Sequence, residues 1–259
     1  MDVFDFFPVH ERKFHGKVCN SELKKTVFDC DYMIPFSKAR EAESEVQAAE
    51  NDFPWSLSKE KCEEILSPYR KHPFISIVEV GTHIGTTATR FAHCIRDNPD
   101  SYVLCVDTWL SDVADYILRR EGVKYNLKEG NDHLLFERFL RNVKSNKLEK
   151  SIIPLRLPSL QAGQILYYYG LKFDVIYIDA SHEYLNVKLD LEMFWNLLTE
   201  DGCMFGDDYH IEGVKKAVDE FAEKYNLKME TYEGVYFSDI QQLGFIFRKK
   251  NDLISGLVG

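Results

Sequence analysis

Residues 75–85 read ISIVEVGTHIG, and their reading decides the fold. Ile75, Ile77, Val78 and Val80 form an apolar, β-branched run interrupted only by Ser76 and Glu79, and Gly81 and Gly85 follow. A short apolar run ending in a glycine turn predicts a buried parallel strand feeding a helix. Glycine lets the backbone turn sharply there and lets a ligand approach the main chain. The spacing is Gly-x-x-x-Gly with an acid two residues before the first glycine. Dinucleotide folds instead use Gly-x-Gly-x-x-Gly with a third glycine. An acid at this place suits a ligand carrying an ammonium or hydroxyl groups better than a pyrophosphate.

Outward from this stretch, strand and helix patterns alternate. YVLCV at 102–106 predicts a second strand, ending at Asp107, after a helix over 86–95. IIPLRL at 152–157 predicts a third, and Pro154 places it at a sheet edge, because proline cannot donate to the ladder. FDVIYI at 173–178 predicts a fourth, closing on Asp179-Ala180-Ser181-His182. A helix over 183–198 carries Tyr184, Val187, Leu191, Phe194 and Leu198 at helical spacing, and a turn over 199–202 follows. A short fifth strand at 203–205 runs into Gly206-Asp207-Asp208-Tyr209-His210, a helix spans 213–225, and 232–237 and 243–247 read as two last strands. Repeated strand–helix units imply an α/β architecture, a parallel sheet with helices on both faces.

The flanks are less periodic. Residues 1–57 are rich in aromatics and include an Ala/Glu-rich stretch at 38–51 that predicts a helix. They read as an N-terminal extension that packs on the main domain or lines its cleft, and the aromatic arm suits a homodimer contact. Ser58 is placed to cap a helix over 58–67. The main domain spans 58–250 and 251–259 is a tail. Within it, 111–150 is long for a connection. It holds two predicted helices, at 112–121 and 133–143, and reads either as a lid over the cleft or as a surface insertion.

Composition limits the function classes. The chain has 259 residues, 45% of them hydrophobic, and a net charge of −10, which argues against nucleic acid as a partner. No apolar run reaches the roughly 20 residues of a membrane helix. The opening MDVFDFFPVHERK lacks a basic-then-apolar leader pattern, so a cytoplasmic setting is expected. None of the six cysteines forms a Cys-x-x-Cys pair, which makes reduced thiols the expectation and a zinc site an unsupported one.

In an open parallel sheet, ligands bind outside the carboxyl ends of the strands. Glu79, Asp107, Asp179, Asp207 and Asp208 all fall there. Five acids on one rim repel one another, so cationic guests are expected. A nucleoside carrying a sulfonium and an ammonium suits Glu79 and Asp107, whose carboxylate can accept from ribose hydroxyls. A hard divalent cation suits Asp179, Asp207 and Asp208, since carboxylates without cysteine select Mg²⁺, Mn²⁺ or Ca²⁺. His182, three residues past Asp179, is the best-placed general base because imidazole titrates near neutral pH. His210 and His83 are the reserves.

These pieces, VEVGTHIG, VLCVDTW, FDVIYIDASHEYLNVKLDLEMFWNLLTEDG and GDDYHIEGVKKAVDEF, resemble the class I S-adenosylmethionine-dependent methyltransferases, in family order from about residue 75 to 221. The Asp-x-x-His after the fourth strand and the acidic pair after the fifth resemble the metal-dependent, macrocin-type sugar O-methyltransferases. The resemblance implies a Rossmann-like, seven-stranded, mostly parallel sheet, and methyl transfer to a hydroxyl of a sugar or glycosylated small molecule. Glu79, Gly81, Thr82, Gly85 and Thr86 would hold the methionine part of S-adenosyl-L-methionine. Asp107 would hold its ribose, Thr108, Trp109 and Ser159 would lie near its adenine, and Asp179 would border it. Asp179, Asp207 and Asp208 would bind Mg²⁺, with His182 where catechol-type members place a lysine base. The rival readings are a catechol or phenol O-methyltransferase, a nicotinamide-dependent dehydrogenase, against which the missing third glycine counts, and a non-catalytic methyltransferase-like binding module.

Overall fold

The computed structural model describes residues 16–28, 36, 56–110, 128–129, 132–237 and 240–249. The helices expected over 38–51 and 112–121 and the tail at 251–259 lie outside them.

The organising stretch forms β2 (Ser76–Val80), buried along its whole length, and turns into α3 (Thr86–Ile95). On one side of β2 lie β3 (Tyr102–Asp107) and then β6 (Ile152–Arg156). On the other lie β7 (Leu171–Ile178), β8 (Leu198–Gly206), β10 (Ile240–Arg248) and β9 (Glu230–Phe237). The five strands from β6 to β8 are parallel, and β10 and β9 close the sheet antiparallel. Pro154 sits on β6, the edge strand, as its missing donor requires. The chain winds outward from β2 to β6 and then returns to β7 on the other side. The winding therefore reverses between β2 and β7, and the crevice at such a reversal is where open sheets bind ligands.

Side chains alternate along the strands, and that period separates two cores. Ile77, Val103, Cys105, Tyr177 and Phe205 face α2 (Lys59–Leu66), α3 and α4 (Leu134–Ser145). Val78, Val80, Leu104, Ile176 and Met204 face α1 (Asn20–Phe28), α5 (Ser159–Tyr168), α6 (Tyr184–Trp195) and α7 (Glu212–Tyr225). Ser58 caps α2 as expected, its Oγ accepting from the Lys61 amide at 3.1 Å.

Three features depart from the sequence expectation. The stretch 199–202 is not a turn but part of β8, and α6 ends at Trp195 instead of running to Leu198. Pairing with β7, where Phe173 donates its amide to Leu197 and sits opposite Leu198, overrides the local turn signal. An eighth strand joins the sheet: β1 (Gly16–Lys17) runs parallel to the start of β7. Two residues are too few to carry a strand pattern in sequence. Finally, α4 is no loose insertion. Phe139 and Val143 are fully buried in it, and Asn142 Nδ2 donates to the Ile84 carbonyl at 2.9 Å, clamping the turn that follows β2. Between β3 and α4, β4 (Lys128–Glu129) and β5 (Asp132–His133) pair as a small antiparallel ladder.

Residues 16–28 pack on the main domain at the amino ends of the strands, away from the cleft. Asn20 Nδ2 donates to the Lys150 carbonyl at 2.8 Å, and Tyr102 Oη to the Val18 carbonyl at 3.2 Å. Among the described residues no helix is long and apolar enough to cross a membrane.

Candidate active site

The carboxyl ends of β2, β7 and β8 continue their ladders by one residue each, and β3 ends beside them at Asp107. The Gly81 amide donates to Val106 O at 2.9 Å, the Asp179 amide to Val80 O at 2.8 Å, and the Asp207 amide to Ile178 O at 3.4 Å. This lines up Glu79, Gly81, Asp107, Asp179 and Asp207 along one rim, as the sequence expectation required.

The glycine turn is shaped for close approach. Gly81 and Gly85 adopt φ of 90° and 85°, left-handed conformations that glycine reaches without strain. A Cβ on Gly81 would meet the Asp179 carbonyl oxygen at 2.0 Å, and one on Gly85 the Phe139 ring at 2.8 Å. Thr86 opens α3, whose first turn has no side-chain cap. Glu79 is 1% exposed beside the Thr82 hydroxyl, and its Oε2 and Thr82 Oγ1 are buried without a well-formed hydrogen bond. Burial, and next the charge of Asp179, push the Glu79 carboxyl well above its usual range. Two buried polar atoms this poorly satisfied beside a glycine turn fit a guest that brings its own donors. An ammonium group is such a guest.

Around Asp107 the geometry divides the sequence candidates. Its Oδ2 accepts the His83 amide at 2.7 Å and its Oδ1 the Trp109 amide at 2.6 Å. These bonds shape the rim, and each carboxylate oxygen keeps a further lone pair for ribose hydroxyls. Thr108 is half-buried beside it, its carbonyl accepting from Arg156 Nε at 3.2 Å. Trp109 departs from the expected place near adenine. It is 0% exposed, its indole N–H donates to the His83 carbonyl at 2.7 Å, and its ring packs on Phe136 and Phe139. The large apolar ring is drawn into the core beneath the rim, so it braces the cleft and offers it no face. Ser159, at the start of α5, gives its hydroxyl bond to Asp190 of α6.

A second cluster gathers at the ends of β7 and β8. One ligand atom each from Asp179, His182 and Asp208 lies within 4.8 Å of the others. His182 Nε2 is 2.8 Å from Asp208 Oδ2, and Tyr177 Oη donates to Asp179 Oδ2 at 3.0 Å. His210 approaches Asp208 Oδ1 only to 3.9 Å. Asp208 reaches outward because its backbone sits at φ 60°, a strained setting for a non-glycine residue. Asp207 stays behind it, its Oδ1 accepting the Asp208 amide at 2.9 Å. The converging trio thus differs from the expected Asp179, Asp207 and Asp208 in one member. The backbone that carries Asp208 to His182 leaves Asp207 bound to its own neighbour. Burial, and next the charges of Asp207 and Asp208, push Asp179 upward, and burial with the Asp208 charge does the same to Asp207. A shallow pocket lined by Asp179, Ser181, His182, Asp207 and Asp208 opens over this cluster. Its 4.8 Å span suits a hard cation with oxygen ligands at roughly 2.0–2.6 Å.

Sequence reasoning did not single out Tyr177 or the link between Ser159 and Asp190. Tyr177 is visible only as one more apolar residue of a strand, and nothing local pairs 159 with 190.

Comparison with known proteins bears on the fold and the family. No curated protein matches the chain. Solved structures share the fold at low identity. The O-methyltransferase from Bacillus cereus in complex with SAH matches with a TM-score of 0.53 at 12% identity, covering 89% of this chain and 96% of that one. A protein from Staphylococcus aureus assigned as a caffeoyl-CoA O-methyltransferase matches at 0.50 and 15%, covering 74% and 84%. An rRNA methylase from Streptococcus thermophilus matches at 0.51 and 11%, covering 78% and 99%. The family described as "Methyltransferase domain" matches residues 78–209, just over half of the chain and the span that carries every rim residue named above. The chain therefore belongs to this methyltransferase-domain family and has the fold of the class I S-adenosylmethionine-dependent methyltransferases.

Proposed function

We propose that this protein transfers the methyl group of S-adenosylmethionine to a hydroxyl oxygen of a sugar or glycosylated small molecule. The observation that carries this reading is the convergence of Asp179, His182 and Asp208 within 4.8 Å on the rim that also holds Glu79 and Gly81. The sulfonium makes the donor methyl electrophilic, so the site must bring an oxygen into line with it and remove that oxygen's proton. An alcohol is a poor nucleophile while protonated. His182, oriented by Asp208, is placed to accept the proton, a role worth on the order of 10²–10⁴ in rate. Asp179 and the second oxygen of Asp208 would hold a divalent cation. Such a cation, when bound, polarises a coordinated hydroxyl and lowers its proton affinity. Glu79 and Thr82 would receive the donor's ammonium, and Asp107 its ribose.

The acceptor class rests on the Asp-x-x-His and Asp-Asp spacing and on the net charge of −10, which disfavours nucleic acid. The fold itself is neutral on this point, since it also serves an rRNA methylase. A small diphenol is the second reading, favoured because adjacent hydroxyls would suit a cation on the same carboxylates.

The test is turnover with labelled donor over a panel of sugars, glycosides and catechols. Asp179→Ala and Asp208→Ala are expected to abolish transfer while S-adenosylhomocysteine still binds by calorimetry. His182→Gln is expected to keep Mn²⁺ binding and lose at least 10²-fold in rate. Loss of Mn²⁺ binding in that variant would make His182 a ligand and not the base. Full activity after EDTA treatment would remove the cation from the mechanism.

A further inference from the structure

Tyr177 is 0% exposed, in the core between the sheet and α3. Its ring stacks on Phe205 at 4.7 Å between centroids with 23° between planes, and meets Phe91 edge-on at 6.4 Å. A ring held on two sides has no freedom to reorient, so its hydroxyl points to one place. A buried tyrosine hydroxyl requires a partner. The comparison is Tyr232, buried close by against Phe205, which donates to the main-chain carbonyl of Gly206 at 3.0 Å. Tyr177 instead donates to Asp179 Oδ2 at 3.0 Å. The period of the strand explains why, since Tyr177 and Asp179 stand two residues apart and so lie on the same face.

A carboxylate on a short side chain can present either oxygen to its surroundings. Here Oδ2 is held from within the core, while the same residue lines the pocket shared with His182 and Asp208. Partners of this kind orient carboxylate ligands, and their removal costs about 10–100-fold in metal affinity.

We infer that Tyr177 is a positioning residue that fixes Asp179 by one oxygen so that the other faces a divalent cation at the Asp179–Asp208 site. This rests on the cation reading given under the proposed function. The test is Mn²⁺ binding to the full chain, read from the electron paramagnetic resonance signal of free Mn²⁺, without reference to turnover. Tyr177→Phe keeps the ring packing and removes only the hydroxyl. It is expected to weaken Mn²⁺ binding about 10-fold or more, with S-adenosylhomocysteine affinity within error of the wild type and a cooperative unfolding transition retained. Tyr177→Phe combined with Asp179→Asn should bind no more weakly than Asp179→Asn alone, because the hydroxyl acts through that carboxylate. Wild-type Mn²⁺ affinity in Tyr177→Phe, alongside a loss in Asp179→Asn, overturns the inference and leaves the cation site standing. Absence of Mn²⁺ binding in the wild type removes both.

Discussion

Gly81 stands where β2, β3 and β7 meet, with its amide on Val106 and the Asp179 backbone packed against it. A side chain there must displace main chain, not a flexible side-chain tip, and must also adopt φ 90°. Gly81→Ala is expected to destabilise the fold by about 1–3 kcal/mol or more through backbone strain, read as a lower midpoint in urea. It should weaken S-adenosylhomocysteine binding as well, since it forces β2 from β7 at the crevice. Strain already collects on this rim, where His83, Trp109 and Asp208 all take positive φ. The glycines and the acids of this rim were legible one by one, because each is a local strand-end signal. The fate of Trp109 was not. Whether a tryptophan stacks on a ligand or fills a core depends on what lies under it, and here Phe136 and Phe139 arrive from a helix 27 residues and more along the chain.

At the scale of elements, α5 and α6 pack closely enough that a Cβ on Gly163 would meet Met193 Cγ at 2.2 Å. Asp190, 3% exposed, lies in that contact with the Ser159 hydroxyl as a partner. Burial pushes its carboxyl from 3.8 up to about 7, against the smaller opposing effect of the Ser159 bond. In this range the folded protein holds a proton that the unfolded chain releases. Its contribution to stability is therefore complete below about 3.8 and is lost as pH rises to about 7. Wild-type stability relative to Asp190→Asn should fall across that window, by at most about 1.4 kcal/mol per pH unit. Urea denaturation of both proteins at several pH values measures it, and a difference independent of pH would refute it. Referencing to the variant removes the parallel titrations of Glu79, Asp179 and Asp207. Helix spacing alone showed α6, but nothing local marks Asp190 as buried against α5.

Across the whole molecule, the candidate site and the attachment of residues 16–28 occupy opposite edges of one sheet. At the amino edge, fully buried Asp174 accepts from Lys17 Nζ at 2.7 Å, His72 Nδ1 at 3.1 Å, the Ser76 amide at 2.9 Å and Ser76 Oγ at 3.0 Å. One carboxylate thereby joins β1, the approach to β2, and β7. Removing one partner of a buried ion pair leaves the others uncompensated, so Asp174→Ala should cost about 3–5 kcal/mol. Lys17→Met is expected to speed amide hydrogen exchange in residues 16–28 while transfer at the far edge stays at the wild-type rate. A fall in turnover with unchanged exchange would contradict this separation.

The order of strands and helices, the edge position of β6, the glycine turn and the gathering of Glu79, Asp107, Asp179, Asp207 and Asp208 on one rim were determined by sequence alone. They follow from short-range rules: a period of two or 3.6, a proline without a donor, glycine at positive φ, and the carboxyl ends of parallel strands sharing an edge. Only the tertiary structure decided which acids converge with His182, that Tyr177 holds Asp179, that Trp109 lies beneath the cleft, and that β1 and the start of β8 are strands. Each of these depends on partners far away in the chain, and the burial and pairing they supply outweigh the local preference of the residue concerned.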